Sequence, residues 1–392
     1  SISRIPLALK DRGATLPLSI SSIPPMNLDL FPRQTDVHTT ENLTDRIARY
    51  TLTQPPLNSV NDKWLLASNL QKAIRRGLAP NAVATALALQ ALDSRYFWRR
   101  LLVIAYEDIG IANVVLCHDL LKSFRREAMH LRLGPERVAA FFAEALAKSL
   151  KSRALCDAIA MLEFDPQLAE HEKKWFGVSD AEIVIAVNCT EVSPNKRVAA
   201  LRHICGYREK TYGSFRLATP VRKDLMQAVC RRAALSEMET ALFLAGSQTT
   251  ESLNVALPIM AAFARAGWKE EARPQVFDGV RGVLFAALDR HTRAGKGCFA
   301  EFAASVKPIN DFFQQHPKLN PVAVLGVVLF IIEGSSLNRW AVFQQSDSLR
   351  RTFERIFLEH VGVDESMASD LLPIVSDNLP ELNTIRKAAI VC

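Results

Sequence analysis

The 392-residue chain lacks a phosphate-binding loop: its Gly295-Lys296 step runs into Gly297 without the upstream glycine that G-x-x-x-x-G-K-[ST] requires. ATP hydrolysis by this chain alone is therefore not expected. Paired cysteines are missing too. The seven cysteines (117, 156, 189, 205, 230, 298 and 392) stand singly with no C-x-x-C, which argues against a disulfide framework or a zinc site and for free buried thiols. No H-E-x-x-H, nucleophile elbow or Ser/His/Asp order occurs among the eight histidines and their surroundings, so no catalytic residue, metal or cofactor is expected. No residue run is long enough to span a bilayer. The most apolar stretch, Val322 to Ile332, is interrupted by Gly326 and suits a buried core helix. The N-terminus shows no charged start followed by an apolar block and a small-residue cleavage site, which leaves a cytoplasmic protein without a membrane partner as the expectation.

What is present is a mildly basic, strongly helical pattern. Net charge is +7, from 48 basic against 41 acidic residues, a surplus compatible with nucleic acid where basic side chains share a face. Residues 1–45 carry prolines at 6, 17, 24, 25 and 32 among many Ser and Thr, and read as an extended arm. From residue 46 onward, apolar positions recur at spacings of three and four, which makes the fold all-α. Residues 46–165 divide into helical hairpins punctuated by Gly77, Pro80, Gly110 and Gly134-Pro135. A loosened, polar stretch after Asp165-Pro166 leads into a second helical domain, 166–392, with helices expected over Leu225 to Ala245, Leu253 to Ala266, Val276 to Arg293, 322 to 332 and Ser348 to His360. Ile183 to Val187 could also pass for a strand.

Three constellations invite a functional reading. Glu107 and Asp108 are adjacent carboxylates near a helix C-terminus, where the helix dipole disfavours anions. Consecutive helical residues point about 100° apart, so the pair is not expected to converge on one substrate. An ion-pair role with Arg75, Arg76, Arg99 or Arg100 is the expectation. Arg293 and Lys296, with the backbone amides of Gly295 and Gly297, could hold a DNA phosphate in a basic turn. Arg208, Lys210, Tyr212 and Arg216 interleave base-stacking and phosphate-binding side chains.

Residues 63–110, KWLLASNLQKAIRRGLAPNAVATALALQALDSRYFWRRLLVIAYEDIG, resemble the C-terminal helical collar of the RarA/MgsA family, clamp-loader-like AAA+ ATPases of stalled replication forks. Arg99, Arg100, Glu107, Asp108 and Gly110 carry that resemblance as an ARRL-like run and an EDIG-like turn, with Tyr106 in place of the usual small residue. It continues through Gly134-Pro135-Glu136-Arg137 and the turn Lys151-Ser152-Arg153-Ala154-Leu155, to about residue 162. The family's ATPase half is absent. The resemblance implies a helical collar that self-associates as a dimer or tetramer, and a place in DNA replication, recombination or repair.

Asn27-Leu28-Asp29-Leu30-Phe31 is similar to the pentapeptide QL[SD]LF that docks bacterial proteins on the sliding clamp. There Leu30 and Phe31 would fill an apolar pocket. The sequence thus points to a non-enzymatic accessory protein at DNA forks, with single-stranded or forked DNA, the bacterial sliding clamp and itself as partners. An inhibitor or decoy of phage or mobile-element origin, aimed at a host fork ATPase or clamp, is the alternative. An enzyme whose site assembles only on folding, near Arg293 to Cys298, is a third. Changing Leu30 and Phe31 together to Ala should abolish binding to a bacterial sliding clamp without moving the melting temperature. A stability loss of several kcal/mol would instead mark the arm as core.

Overall fold

Helix Ala79–Leu92, APNAVATALALQAL, is apolar on every side, and a helix of that kind is stable only when covered all round. It lies between helices Lys63–Arg75 and Pro135–Lys148. Ala82 and Ala86 of this helix, Leu66, Leu70 and Ile74 of one neighbour and Ala139, Ala143 and Leu146 of the other are all fully or almost fully buried. The computed structural model describes residues 42–52, 60–124, 126–164, 175, 177–205, 207–208, 216–217, 222–249 and 252–391. The fold is all-α, and short strand pairs such as Gly279–Val280 with Val283–Leu284 add little to it.

The described residues divide into two units. One holds 42–157, 270–342 and 346–391; the other holds 158–269 and 343–345. The sequence boundary near 165 thus falls close to the first crossing, but the chain's return at 270 was not drawn from the sequence. A second difference concerns the arm, since its last residues already form helix Leu43–Arg49, capped by the Asn42 side chain.

In the larger unit the punctuation works as chemistry predicts. Asp62 caps helix Lys63–Arg75 by accepting from the amides of Trp64 and Leu65, and Gly77 closes it at φ +68°. Pro80 occupies the first turn of the next helix, and Asp93 caps helix Ser94–Ile104. A π-helical turn, Ala105–Ile109, and a 3₁₀ turn, Gly110–Asn113, then join it to helix Val114–Phe124. Counted through, Ser94–Phe124 is long and apolar enough to cross a bilayer by length and composition, contrary to the sequence expectation. Within it, however, Gly110 reverses the chain at φ +47° and the Asp108 side chain is buried in ion pairs, as a core element requires.

The later segment is stitched to these helices by buried amides. Asn69, wholly buried, donates to Thr85 Oγ1 at 2.8 Å and to the Gly282 carbonyl at 2.9 Å, and accepts from the Leu284 amide at 2.9 Å. The helix expected over Val276 to Arg293 does not form. Arg281 and Gly282 both adopt positive φ, which turns the chain into a two-stranded hairpin before the 3₁₀ turn Phe285–Ala287. Helix Arg293–Ser305 starts where the expected helix ended, followed by Lys307–Gln315, Pro321–Leu329, Ser346–His360, Glu365–Asp377 and Leu379–Val391.

The smaller unit contains helices Asp180–Asn188, Pro194–Cys205, Lys223–Arg232, Glu237–Thr249 and Leu257–Arg265. Ile183 to Val187 is helical rather than extended because Ser179 and Glu182 form a reciprocal capping box at its start. Cys117, Cys205, Cys230 and Cys298 are free and buried, and Cys156 and Cys189 are free and half-buried.

Two glycines of helix Arg293–Ser305 separate backbone approach from helix propensity. A methyl group on Gly295 would lie 2.2 Å from the Asp289 carbonyl oxygen, whereas one on Gly297 would meet nothing within 4 Å. Gly295→Ala should cost about 1–3 kcal/mol in urea unfolding, through overpacking. Gly297→Ala should gain about 0.5–1 kcal/mol, as a glycine removed from a helix interior does. Equal effects at the two positions would contradict the close approach.

Candidate functional site

Helix Lys63–Arg75 carries a polar stripe at helical spacing, Trp64, Ser68, Gln71, Lys72 and Arg75, on an otherwise apolar and buried surface. Arg75, 1% exposed, is its anchor. The Arg75 guanidinium donates from Nε to Asp108 Oδ1 at 2.7 Å, from Nη2 to Glu107 Oε1 at 2.6 Å and from Nη1 to the Gly334 carbonyl at 2.7 Å. Arg153 approaches the same acids, with Nη1 2.9 Å from Asp108 Oδ1 and 3.4 Å from Glu107 Oε1. Gln71 donates to the remaining Asp108 oxygen at 2.9 Å and accepts from Arg100.

Glu107 and Asp108 therefore do converge, though on two arginines. Their π-helical turn packs successive residues differently from the α-helix assumed in the sequence argument. Burial alone would push the Glu107 carboxyl up, but Arg75 and Arg153 outweigh it and hold it well below the usual range. Burial raises Asp157, beside Arg153 on the far side of the network, to about 6. Of the expected arginine partners, Arg75 serves directly and Arg100 through Gln71. Arg76 turns instead to the Glu333 carbonyl at 2.7 Å, and Arg99 is exposed.

The stripe forms one wall of a cavity of about 320 Å³ within the larger unit. Five cationic side chains line it: Lys72, Arg75, Arg100, Arg290 and Arg386. Three carboxylates, Glu107, Asp289 and Glu333, face them. The pairs are definite: Arg75 with Glu107, Lys72 with Asp289, and Arg386 with Glu333 at 2.5 Å. Among the described residues Arg100 and Arg290 have no carboxylate at ion-pair distance, so the lining carries two positive charges beyond its acids. Arg290 spreads its guanidinium over the Phe357 ring at 4.7 Å, and Gly326 leaves the space its side chain occupies. The Arg100 Nε is buried without an acceptor. At the cavity's aromatic side, Trp64, 55% exposed, meets Tyr96 edge to face at 5.4 Å, with the Lys63 ammonium near both rings.

Ser68, Lys72 and Asp289 make the one arrangement here that looks catalytic. Lys72 donates to Ser68 Oγ at 2.9 Å, and Ser68 donates to Asp289 Oδ2 at 2.7 Å. Burial opposes ionisation of Asp289, yet Lys72 holds its carboxyl well below the usual range, so it is a weak base. Burial lowers Lys72, while Asp289 works to keep the ammonium charged. Burial outweighs Asp289 in setting Lys72, while Asp289, held below the usual carboxylate range, is a poor acceptor for the Ser68 proton. This is an electrostatic clasp.

The other predicted site residues lie elsewhere. Arg293 and Lys296 are exposed on the first turn of a helix, not in a loop, and the Gly295 amide is already used by the Thr292 cap at 3.0 Å, so the expected amide cradle is not formed. Arg208 and Arg216 are directly paired across a two-stranded hairpin. Lys210, Tyr212 and the peptide Asn27-Leu28-Asp29-Leu30-Phe31 fall outside the described residues. Gly110 serves as the turn after the acidic pair. No group of three or more His, Cys, Asp or Glu suited to a metal ion occurs among the described residues. Trp64, Ser68 and Lys72 are not among the expected site residues, although their spacing of four on an apolar helix is a readable signal. No family model, no curated protein and no solved structure matches this chain.

Asp108 is wholly buried, and its removal leaves Arg75 with Glu107 as its one carboxylate and Arg153 with that same Glu107 and Asp157. Asp108→Ala should lower stability by about 3–5 kcal/mol, the cost of stranding a buried charge. Urea unfolding is the measurement, and a loss below about 1 kcal/mol would show that the network is dispensable.

Proposed function

We propose that the protein is a non-enzymatic accessory factor that binds DNA, single-stranded or forked, in replication and recombination. The observation that carries this is the cavity with two uncompensated guanidiniums beside an exposed indole. Arginine pairs well with phosphate oxygens through its planar, multidentate donors, and an exposed aromatic ring offers a stacking surface that any unpaired base can use. Arg293 and Lys296, both exposed, add phosphate contacts of the sequence-independent kind.

The assignment to forks rests on the RarA-like segment, and tethering to the sliding clamp rests on residues 27–31. Self-association as a dimer or tetramer belongs to the same resemblance. In this reading the chemistry is supplied by partner enzymes in the cytoplasm, and this chain supplies position.

Binding to DNA should weaken steeply with salt, because each phosphate contact releases condensed counterions. About four contacts would give a log-log slope of roughly −3 to −4 on duplex DNA, with little sequence preference. Replacing Arg293 and Lys296 together by Ala should make the slope shallower by about 2. An unchanged slope would remove that helix turn from the DNA surface. Absence of binding to duplex, forked and single-stranded DNA at low salt would leave an inhibitor of a host fork ATPase or clamp as the better account.

A further inference from the structure

Charge balance in the cavity narrows what it holds. The lining's surplus is two positive charges, and the two side chains that carry it, Arg100 and Arg290, come from segments far apart in sequence. An internal phosphodiester carries one negative charge and would neutralise half of it. A phosphomonoester carries about −1.5 to −2 at neutral pH and would neutralise nearly all of it.

Geometry agrees with charge. The volume of about 320 Å³ lies at the low end of small-ligand sites, on the scale of one nucleotide. The Arg100 Nε donor, buried and without an acceptor, is the kind of group a phosphate oxygen satisfies. Trp64 and Tyr96 line the same cavity, so an attached base would have a ring to stack on. The lysine of the lining, Lys72, is committed to Asp289 and Ser68, whereas Arg100 gives one nitrogen to Gln71 and Arg290 one to His291, and Arg100 keeps its Nε unpaired; guanidinium groups bind phosphate through several donors at once.

We propose that this cavity is a phosphomonoester site, taking the terminal phosphate of a nucleic-acid strand with its terminal base against Trp64. The proposal rests on the DNA-binding reading for the source of the phosphate. The same chemistry could also arrive as a free nucleoside monophosphate. On this account the protein recognises strand ends: the cavity accepts the end, and exposed basic residues hold the duplex or strand behind it.

The test uses the full chain and fluorescence anisotropy at fixed salt with one short single strand made in three forms: 5′-phosphorylated, 3′-phosphorylated, and hydroxyl at both ends. One phosphorylated form should bind about tenfold more tightly than the hydroxyl form, the effect of one added charge-assisted contact. Arg100→Gln and, separately, Arg290→Gln should erase that difference, so that each variant binds all three forms alike. Trp64→Ala, which alters an exposed side chain and spares the core, should reduce the same difference. Equal binding of all three strands by the natural protein would overturn the phosphomonoester site and leave the DNA-binding reading standing.

A second arm titrates deoxyadenosine monophosphate, deoxyadenosine and inorganic phosphate against tryptophan fluorescence, with Trp64→Ala as the control. If no strand binds but the monophosphate quenches Trp64 and the nucleoside does not, the site stands with a free nucleotide as its ligand and the DNA-binding reading falls. If neither strands nor monophosphate bind, both fall.

Discussion

The larger unit depends on one buried anion, Asp108. A carboxylate with no solvent access must be met by donors within the protein, and Arg75, Arg153 and Gln71 meet it from two other chain segments. Arg75 then carries the constraint further, donating to the Gly334 carbonyl while its own carbonyl accepts from the Asn338 amide at 3.0 Å. Helix Lys63–Arg75, the acidic turn, the turn at 151–155 and the segment 334–338 are therefore held by a single set of polar contacts. Hydrophobic packing alone would permit each to slide. Directional contacts to a buried charge do not.

That anchoring explains how the cavity can keep guanidiniums that are not neutralised. Unpaired positive charges sharing one small space repel each other, and a soft wall would relieve the strain by letting side chains swing to solvent. Here Arg100 is fastened through Gln71, whose amide is fastened to Asp108, and Arg290 is fixed over Phe357 in the space left by Gly326. Lys72 is satisfied by Ser68 and Asp289 and is not available as a third free cation. An anion entering the cavity would meet guanidiniums that are already held in place, which reduces the ordering cost of binding.

The sequence displayed the helices of residues 63–164 clearly because their ends are marked by local chemistry: Asp62, Gly77, Pro80, Asp93, Asn113 and Gly134 each act within a turn of where they stand. The ion-pair role of Glu107 and Asp108 was legible for the same reason, since acids at a helix C-terminus call for nearby cations. Arg75 was among the expected partners, but Arg153 was not. The segment Val276 to Arg293 misled because its apolar spacing is compatible with a helix, whereas Arg281 and Gly282 in positive φ make a hairpin that tertiary pairing with Asn69 and Asn81 stabilises. Arg290, Glu333 and Arg386 join the cavity across hundreds of residues, and no local pattern in the sequence announces such a meeting.

The same long-range assembly sets a limit on what the collar resemblance can carry. Residues 63–110 provide one wall of the cavity, with Trp64, Lys72, Arg75, Arg100 and Glu107. Asp289, Arg290, Glu333 and Arg386 come from segments beyond the reach of that resemblance. Without them Lys72 would lose its carboxylate, and Asn69 would lose the Gly282 and Leu284 groups that satisfy it. Residues 63–110 cut from this chain would expose a helix bearing unpaired buried polar groups, so these helices and the later segments form one folding unit. The collar-like helices supply the buried acid and its arginines, and the appended segments convert that structural network into a charged cavity.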